Sequence, residues 1–137
     1  MNIKIEETDE LILDFDKILD ISQKNIRVIP VAVQNIDTNE VILLAYVNKE
    51  ALDLSVKTKI ATFFSTSRNE IWVKGATSGA EFELCEIFVN CEQNSLVYKV
   101  RPKKENICHT KNKNGTARNC FYRKFDFETG KLINLNP

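Results

Sequence analysis

The only histidine of this chain is bonded in sequence to a cysteine, as Cys108-His109, and two more cysteines bracket the pair. Sixteen residues separate Cys91 from Cys108, and eleven separate Cys108 from Cys120. Three thiolates can hold a zinc ion and leave its fourth position open to water, the layout of a catalytic rather than a closed structural site. A histidine adjoining a ligand stays near the metal and can carry a proton to or from that water. The opposing explanation is that cysteines are small hydrophobes and fill cores. Cys91 ends an apolar stretch and suits that explanation, whereas Cys108 and Cys120 border the polar run KNKNGTARN and do not. No CxxC pair marks a zinc knuckle, so spacing by itself leaves metal binding and core filling both open. The fourth cysteine, Cys85, lies in FELCEIFV and reads as a core residue.

At 137 residues the chain reads as one domain over 1–137 with a modest core. Its formal net charge of zero gives no bulk attraction to nucleic acid or membrane, and neither is expected as a partner. No apolar run approaches the roughly 20 residues that span a bilayer. The start, MNIKIEETDE, lacks the basic and apolar regions of a signal peptide, so a cytoplasmic setting is expected. Cysteines there serve as ligands, catalytic groups or core residues more than as disulfides.

A chain of short strands must position these groups. Residues 11–22 (LILDFDKILDIS) have the apolar spacing of a short helix or an irregular arm. Residues 27–35 read as a strand whose Pro30 is of edge type, and Asp37-Thr38-Asn39-Glu40 as a turn into a buried strand at 41–47. Asn48 caps a predicted helix over 49–58, with Glu50 in its first turn. Further strands are predicted at 61–65, 71–74, 82–90 and 95–101, and a last hairpin joins 120–125 to 131–135 around Glu128-Thr129-Gly130. The pattern predicts an α+β fold: a curled, mostly antiparallel sheet or partial barrel with one or two helices.

The segments EVILLAYVNKEAL (40–52), ATFFSTSRNEIWVKGATSG (61–79), NCEQNSL (90–96), CHT (108–110) and RNCFYR (118–123) together resemble the phosphoribosyl-AMP cyclohydrolases, zinc enzymes of histidine biosynthesis. The similarity runs from about Phe15 to Phe125. The resemblance implies a homodimer with its active site at the subunit interface, zinc held by Cys91, Cys108 and Cys120, and catalysis by His109. It also implies a loop for phosphate and ribose formed by Ser65, Ser67, Arg68, Trp72, Lys74, Gly75, Thr77, Ser78 and Gly79. A phosphorylated ligand calls for cations, hydroxyl donors and glycine where the backbone comes close, and this loop supplies all three. Trp72 can cover a base or ribose or pack into the core, and Ser65 can be a strand position with no role. The reaction implied is hydrolysis of the N1–C6 bond in the adenine ring of N1-(5-phosphoribosyl)-AMP. Zinc lowers the pKa of its bound water towards about 7, and His109 would exchange a proton with the leaving nitrogen.

Several positions depart from the family pattern. Around its first cysteine the family has Asp-Cys-Asp-Gly-Asp, whose aspartates bind a hard cation such as magnesium. Here the stretch is Asn90-Cys91-Glu92-Gln93-Asn94, so a magnesium site at Asn90, Glu92 and Asn94 is degenerate, and at most a weak or water-rich one is expected. Ala80 stands where histidine or asparagine is frequent and Val73 where arginine is, and the stretch between Cys108 and Cys120 is longer than usual. Lys111 and Lys113 in that stretch, with Arg101, Lys103 and Lys104 upstream, either bind phosphate in place of a metal bridge or form a solvated surface. Two other functions accommodate these departures. One is a diverged zinc hydrolase or deaminase acting on another purine nucleotide, and the other is a non-catalytic, zinc-stabilised nucleotide-binding module.

Overall fold

The computed structural model describes residues 3–75, 79–104 and 108–137. After a single helical turn α1 (Ile3–Glu6) and a short helix α2 (Lys17–Gln23) come strands β1 (Ile29–Asn35) and β2 (Val41–Val47). Helix α3 (Lys49–Thr58) follows, then β3 (Thr62–Ser65), β4 (Glu70–Val73), β5 (Phe82–Val89), β6 (Leu96–Pro102), β7 (Arg123–Phe125) and β8 (Leu132–Asn134). One four-stranded sheet has the order β2-β1-β6-β5, and β3-β4 and β7-β8 are separate two-stranded ribbons. The β1–β6 pair is parallel and the other pairs are antiparallel. This is the predicted α+β fold, with a mostly antiparallel sheet that does not close.

The first hairpin turns as its sequence requires. The Asn35 side-chain oxygen accepts the N–H groups of Asp37 and Thr38, and Asn39 adopts a left-handed φ of 63°. The edge reading of Pro30 is overturned, because β1 lies inside the sheet. Pro30 pairs with Tyr46, but β6 joins only from the Val31–Leu96 pair onward, so the missing N–H precedes the second ladder. The core reading of Cys85 is overturned too. A bulge between Leu84 and Glu86 takes Cys85 out of register, leaving it half-buried beside Arg101 while Phe82 and Leu84 enter the core.

Helix α3 has the predicted bounds. Asn48 accepts the Ala51 N–H at 2.8 Å, and Lys59 ends the helix at φ 60°. Replacing the cap, Asn48→Ala, is expected to cost about 1 kcal/mol in urea unfolding with an unchanged m-value. The buried Ser55 hydroxyl ties α3 to β3 by accepting the Thr62 N–H at 2.9 Å. Upstream, the helix read into 11–22 begins only at Lys17. There the Asp14 carboxylate takes the Asp16 N–H in a local turn that competes with helix.

The core lies on one face of the sheet. Val31 and Val33, Leu96, Tyr98 and Val100, and Phe82 and Leu84 point from their strands into it, alternate residues as a pleated strand demands. Ala51 of α3 and Phe63 of β3 close it from the other side. The opposite face is less covered, with Pro30, Ala32, Leu44, Phe88 and Val97 lining a shallow apolar cleft of about 340 Å³. Apolar side chains of the N-terminal arm are also exposed, Phe15 at 87% and Ile18 at 64%. Among the described residues, no helix is long and apolar enough to cross a membrane.

Candidate active site

The long stretch between Cys108 and Cys120 is not a loose loop. It folds back on itself: Cys108 N–H donates to the Arg118 carbonyl, Arg118 N–H to the Thr110 carbonyl at 3.1 Å, and Lys111 bridges to Ala117. The Asn112 side-chain oxygen closes the tip by accepting the N–H groups of Asn114 and Thr116. The Cys120 N–H then donates to the Ile42 carbonyl at 2.9 Å, pinning the stretch to β2. This excursion brings the Cys108 and Cys120 thiols close enough for each to feel the other's charge, and the buried Thr110 hydroxyl donates to the Cys108 sulfur at 3.2 Å.

The electrostatics suit a cation. Cys120 reaches the surface, yet the atoms around its sulfur strip enough water to push the thiol up to about 12, with Cys108 as the next cause. Beside them stands Lys74, which partial burial pushes below the usual lysine range while the Cys120 and Cys108 sulfurs oppose that shift. Two adjacent, desolvated thiols are half of a thiolate shell for a soft divalent ion. Among the described residues no group of three or more His, Cys, Asp or Glu side chains converges to complete it.

Cys91 is elsewhere. It sits exposed in the turn between β5 and β6, just before Leu96, whereas Cys120 is pinned to Ile42, which the register through β1 sets level with Tyr98 and Lys99. The two to three residues of β6 between those levels, at roughly 3.3 Å each, amount to on the order of 10 Å along the strand. The turn that holds Cys91 is closed by the residues of the degenerate magnesium motif. Asn90 Oδ1 accepts the N–H groups of Asn94 and Ser95, and Asn90 Nδ2 donates to Asn94 Oδ1 at 2.7 Å. Both lone pairs of Asn90 Oδ1 are committed to the turn, and Glu92 is left as the one carboxylate, a donor set that does not fit a hard cation.

His109 is exposed, and its Nε2 lies 3.0 Å from Glu6 Oε2. That partner is 103 residues away in sequence, so no local spacing could have revealed it. Its neighbour Glu7 holds Arg118 by 2.6 and 3.3 Å contacts, and Arg118 is only 2% exposed, with its guanidinium over the Tyr122 ring. Neither carboxylate was anticipated from sequence.

The predicted phosphate loop divides between the two ends of the β3–β4 ribbon. At its turn, Ser65, Ser67, Arg68 and Trp72 line a cleft of about 310 Å³, with Ser65 Oγ 3.3 Å from Ser67 Oγ. At its open end are Lys74, beside the cysteine pair, and Gly75. Gly75 has φ +78°, and a Cβ there would come within 2.2 Å of the Ala80 backbone, so only glycine fits. Gly79 lies beside the Lys104 ammonium, while Thr77 and Ser78 fall outside the described residues. Trp72 packs on the core, its ring 5.6 Å from Phe63, and also lines the cleft. Of the upstream cations, Arg101 pairs with Asp37 at 3.1 Å and Lys103 with Glu81 at 3.0 Å, while Lys111 and Lys113 remain on the surface.

Comparison with known proteins decides the family. The model of the phosphoribosyl-AMP cyclohydrolase family matches residues 43–122, which hold all three cysteines and His109. The chain belongs to the phosphoribosyl-AMP cyclohydrolase family. It is 45% identical over 101 residues to a phosphoribosyl-AMP cyclohydrolase of Caulobacter vibrioides, covering 73% of this chain and 68% of that relative. A phosphoribosyl-AMP cyclohydrolase of Archaeoglobus fulgidus is 43% identical over 98 residues, covering 72% and 85%. A histidine biosynthesis bifunctional protein of Aquifex aeolicus is 40% identical over 104 residues, covering 76% of this chain and 47% of that relative. Membership makes the chain a cyclohydrolase, an enzyme that hydrolyses a cyclic amidine in a phosphorylated nucleotide.

Proposed function

We propose that this cyclohydrolase opens the adenine ring of N1-(5-phosphoribosyl)-AMP in cytoplasmic histidine biosynthesis, at a zinc site completed by two copies of the chain. One observation supports this above the rest: Cys108 and Cys120 meet beside Lys74, and Cys91 lies apart from them in the turn between β5 and β6. A second copy can bring its own Cys91 to the pair, in keeping with the interface active site that the family resemblance implies. The apolar face around Leu44 and Phe88 and the exposed arm around Phe15 offer the surface a homodimer needs to bury.

Cys91, Cys108 and Cys120 would hold the zinc, which when bound makes water nucleophilic at neutral pH. The chain's own residues supply the rest. The oxygen of water bonds to C6, the C6–N1 bond breaks, N1 takes a proton and C6 ends as a carboxamide. His109 takes and returns the proton in that exchange. The substrate carries a phosphate on each ribose. Arg68 at one end of the β3–β4 ribbon and Lys74 at the other offer separate cations for anionic groups.

Turnover of phosphoribosyl-AMP by the zinc-loaded protein, with and without added magnesium, tests this reading. Ring opening that magnesium does not increase is the expected result, because the Asn90 oxygen already serves its turn. Absence of turnover in folded protein with zinc bound would overturn the assignment of substrate.

A further inference from the structure

His109 is held by a part of the chain that lies well before the family match begins. We propose that Glu6 is a positioning residue for His109, delivered to it by an N-terminal strap that Tyr122 and Arg123 clamp in place; this rests on the proton-carrying role of His109 proposed above. The strap, residues 5–9, has no strand partner of its own and crosses the segment that follows Cys120. The Tyr122 hydroxyl donates to the Glu6 carbonyl. Arg123 Nη1 donates to the Ile5 carbonyl at 2.7 Å and to the Thr8 carbonyl at 3.1 Å. Arg118 grips the Glu7 carboxylate, and the Leu132 N–H donates to the Asp9 carbonyl at 2.7 Å. Bonds to Ile5, Glu6, Glu7, Thr8 and Asp9 thus fix the backbone that presents the Glu6 side chain.

The consequence for the imidazole is specific. An ionised carboxylate only accepts hydrogen bonds, so the ring nitrogen 3.0 Å from Glu6, Nε2, carries the proton of the neutral ring. The contact leaves Nδ1 clear of Glu6, and the ring cannot swing freely about its side-chain torsions although it is exposed. An exposed imidazole without such a partner samples several rotamers, and each wrong one removes the proton carrier from reach of the substrate. The same logic gives RNCFYR two tasks: Cys120 faces the metal site, while Arg118, Tyr122 and Arg123 hold the strap that orients His109.

The test compares zinc-loaded wild type, Glu6→Ala, Glu6→Gln, His109→Asn and the Glu6→Ala/His109→Asn double variant for kcat, KM, zinc content and Tm. Glu6→Ala is expected to lower kcat by about tenfold to a hundredfold, with KM and zinc content near wild type. Glu6→Gln, whose amide oxygen still accepts from Nε2–H and whose volume keeps the strap seated, is expected to stay within about threefold of wild type. In the His109→Asn background, Glu6→Ala is expected to have almost no further effect on kcat, since positioning matters only for a ring that is present. A wild-type kcat in Glu6→Ala, or a loss that persists in full on top of His109→Asn, overturns the proposal while leaving His109 as the proton carrier. Wild-type kcat in His109→Asn removes that carrier and the proposal with it.

Discussion

Mixing Cys91→Ser protein with Cys108→Ser protein is expected to restore turnover that neither has alone. In the proposed homodimer each variant lacks one of the proposed zinc ligands and has two damaged sites. In a mixed dimer the Cys91→Ser chain contributes intact Cys108 and Cys120, and the Cys108→Ser chain contributes intact Cys91. One of its two sites is then whole. Random reassortment makes half the dimers mixed, so about a quarter of wild-type activity and zinc content should return. The prediction follows from the placement of Cys91 in the turn before Leu96, apart from the pair that Cys120 forms with Cys108. If one chain held all three ligands, mixing would restore nothing, and unchanged inactivity after subunit exchange would defeat the shared site.

His109→Asn should lower kcat by roughly 10²–10⁴-fold while zinc remains bound. Asparagine is close in size, and its amide can still donate to Glu6, which lies 3.0 Å from the histidine nitrogen in the wild type. It cannot take and return a proton at neutral pH. Because His109 is not among the thiol ligands, metal content should stay near wild type. Because the cations of the β3–β4 ribbon are untouched, KM should move little. Turnover near wild type would exclude His109 from the chemistry. A fall accompanied by loss of zinc would instead make it a support for Cys108.

Local sequence was a good guide wherever neighbouring residues settle the structure. The Asn48 cap, the helix from Lys49 to Thr58 and the Asn35–Glu40 turn each rest on hydrogen bonds between residues close in sequence, and each was found. Local reading failed where distant pairing intervened. Pro30 seemed to mark an edge, but the β6 ladder begins one residue later and admits it to an interior strand. Cys85 seemed apolar by its neighbours, but a bulge removed it from the register that buries Leu84. In the run KNKNGTARN the lysines stay at the surface, as the solvated reading expects, while its asparagine and glycine close a tight excursion that returns Cys120 to Cys108.

The sequence by itself determined the chemistry on offer: three cysteines, one histidine, and a loop of cations, hydroxyls and glycines that marks the family. Residue types carry donor strength, charge and softness wherever they lie, so these properties are legible without coordinates. Only the tertiary structure decided which of those groups meet. It placed Cys108, Cys120 and Lys74 together, left Cys91 apart in the turn between β5 and β6, and brought Glu6 across 103 residues to His109. Such meetings depend on sheet order, strand length and long-range hydrogen bonds, which the spacing of residues along the chain does not encode.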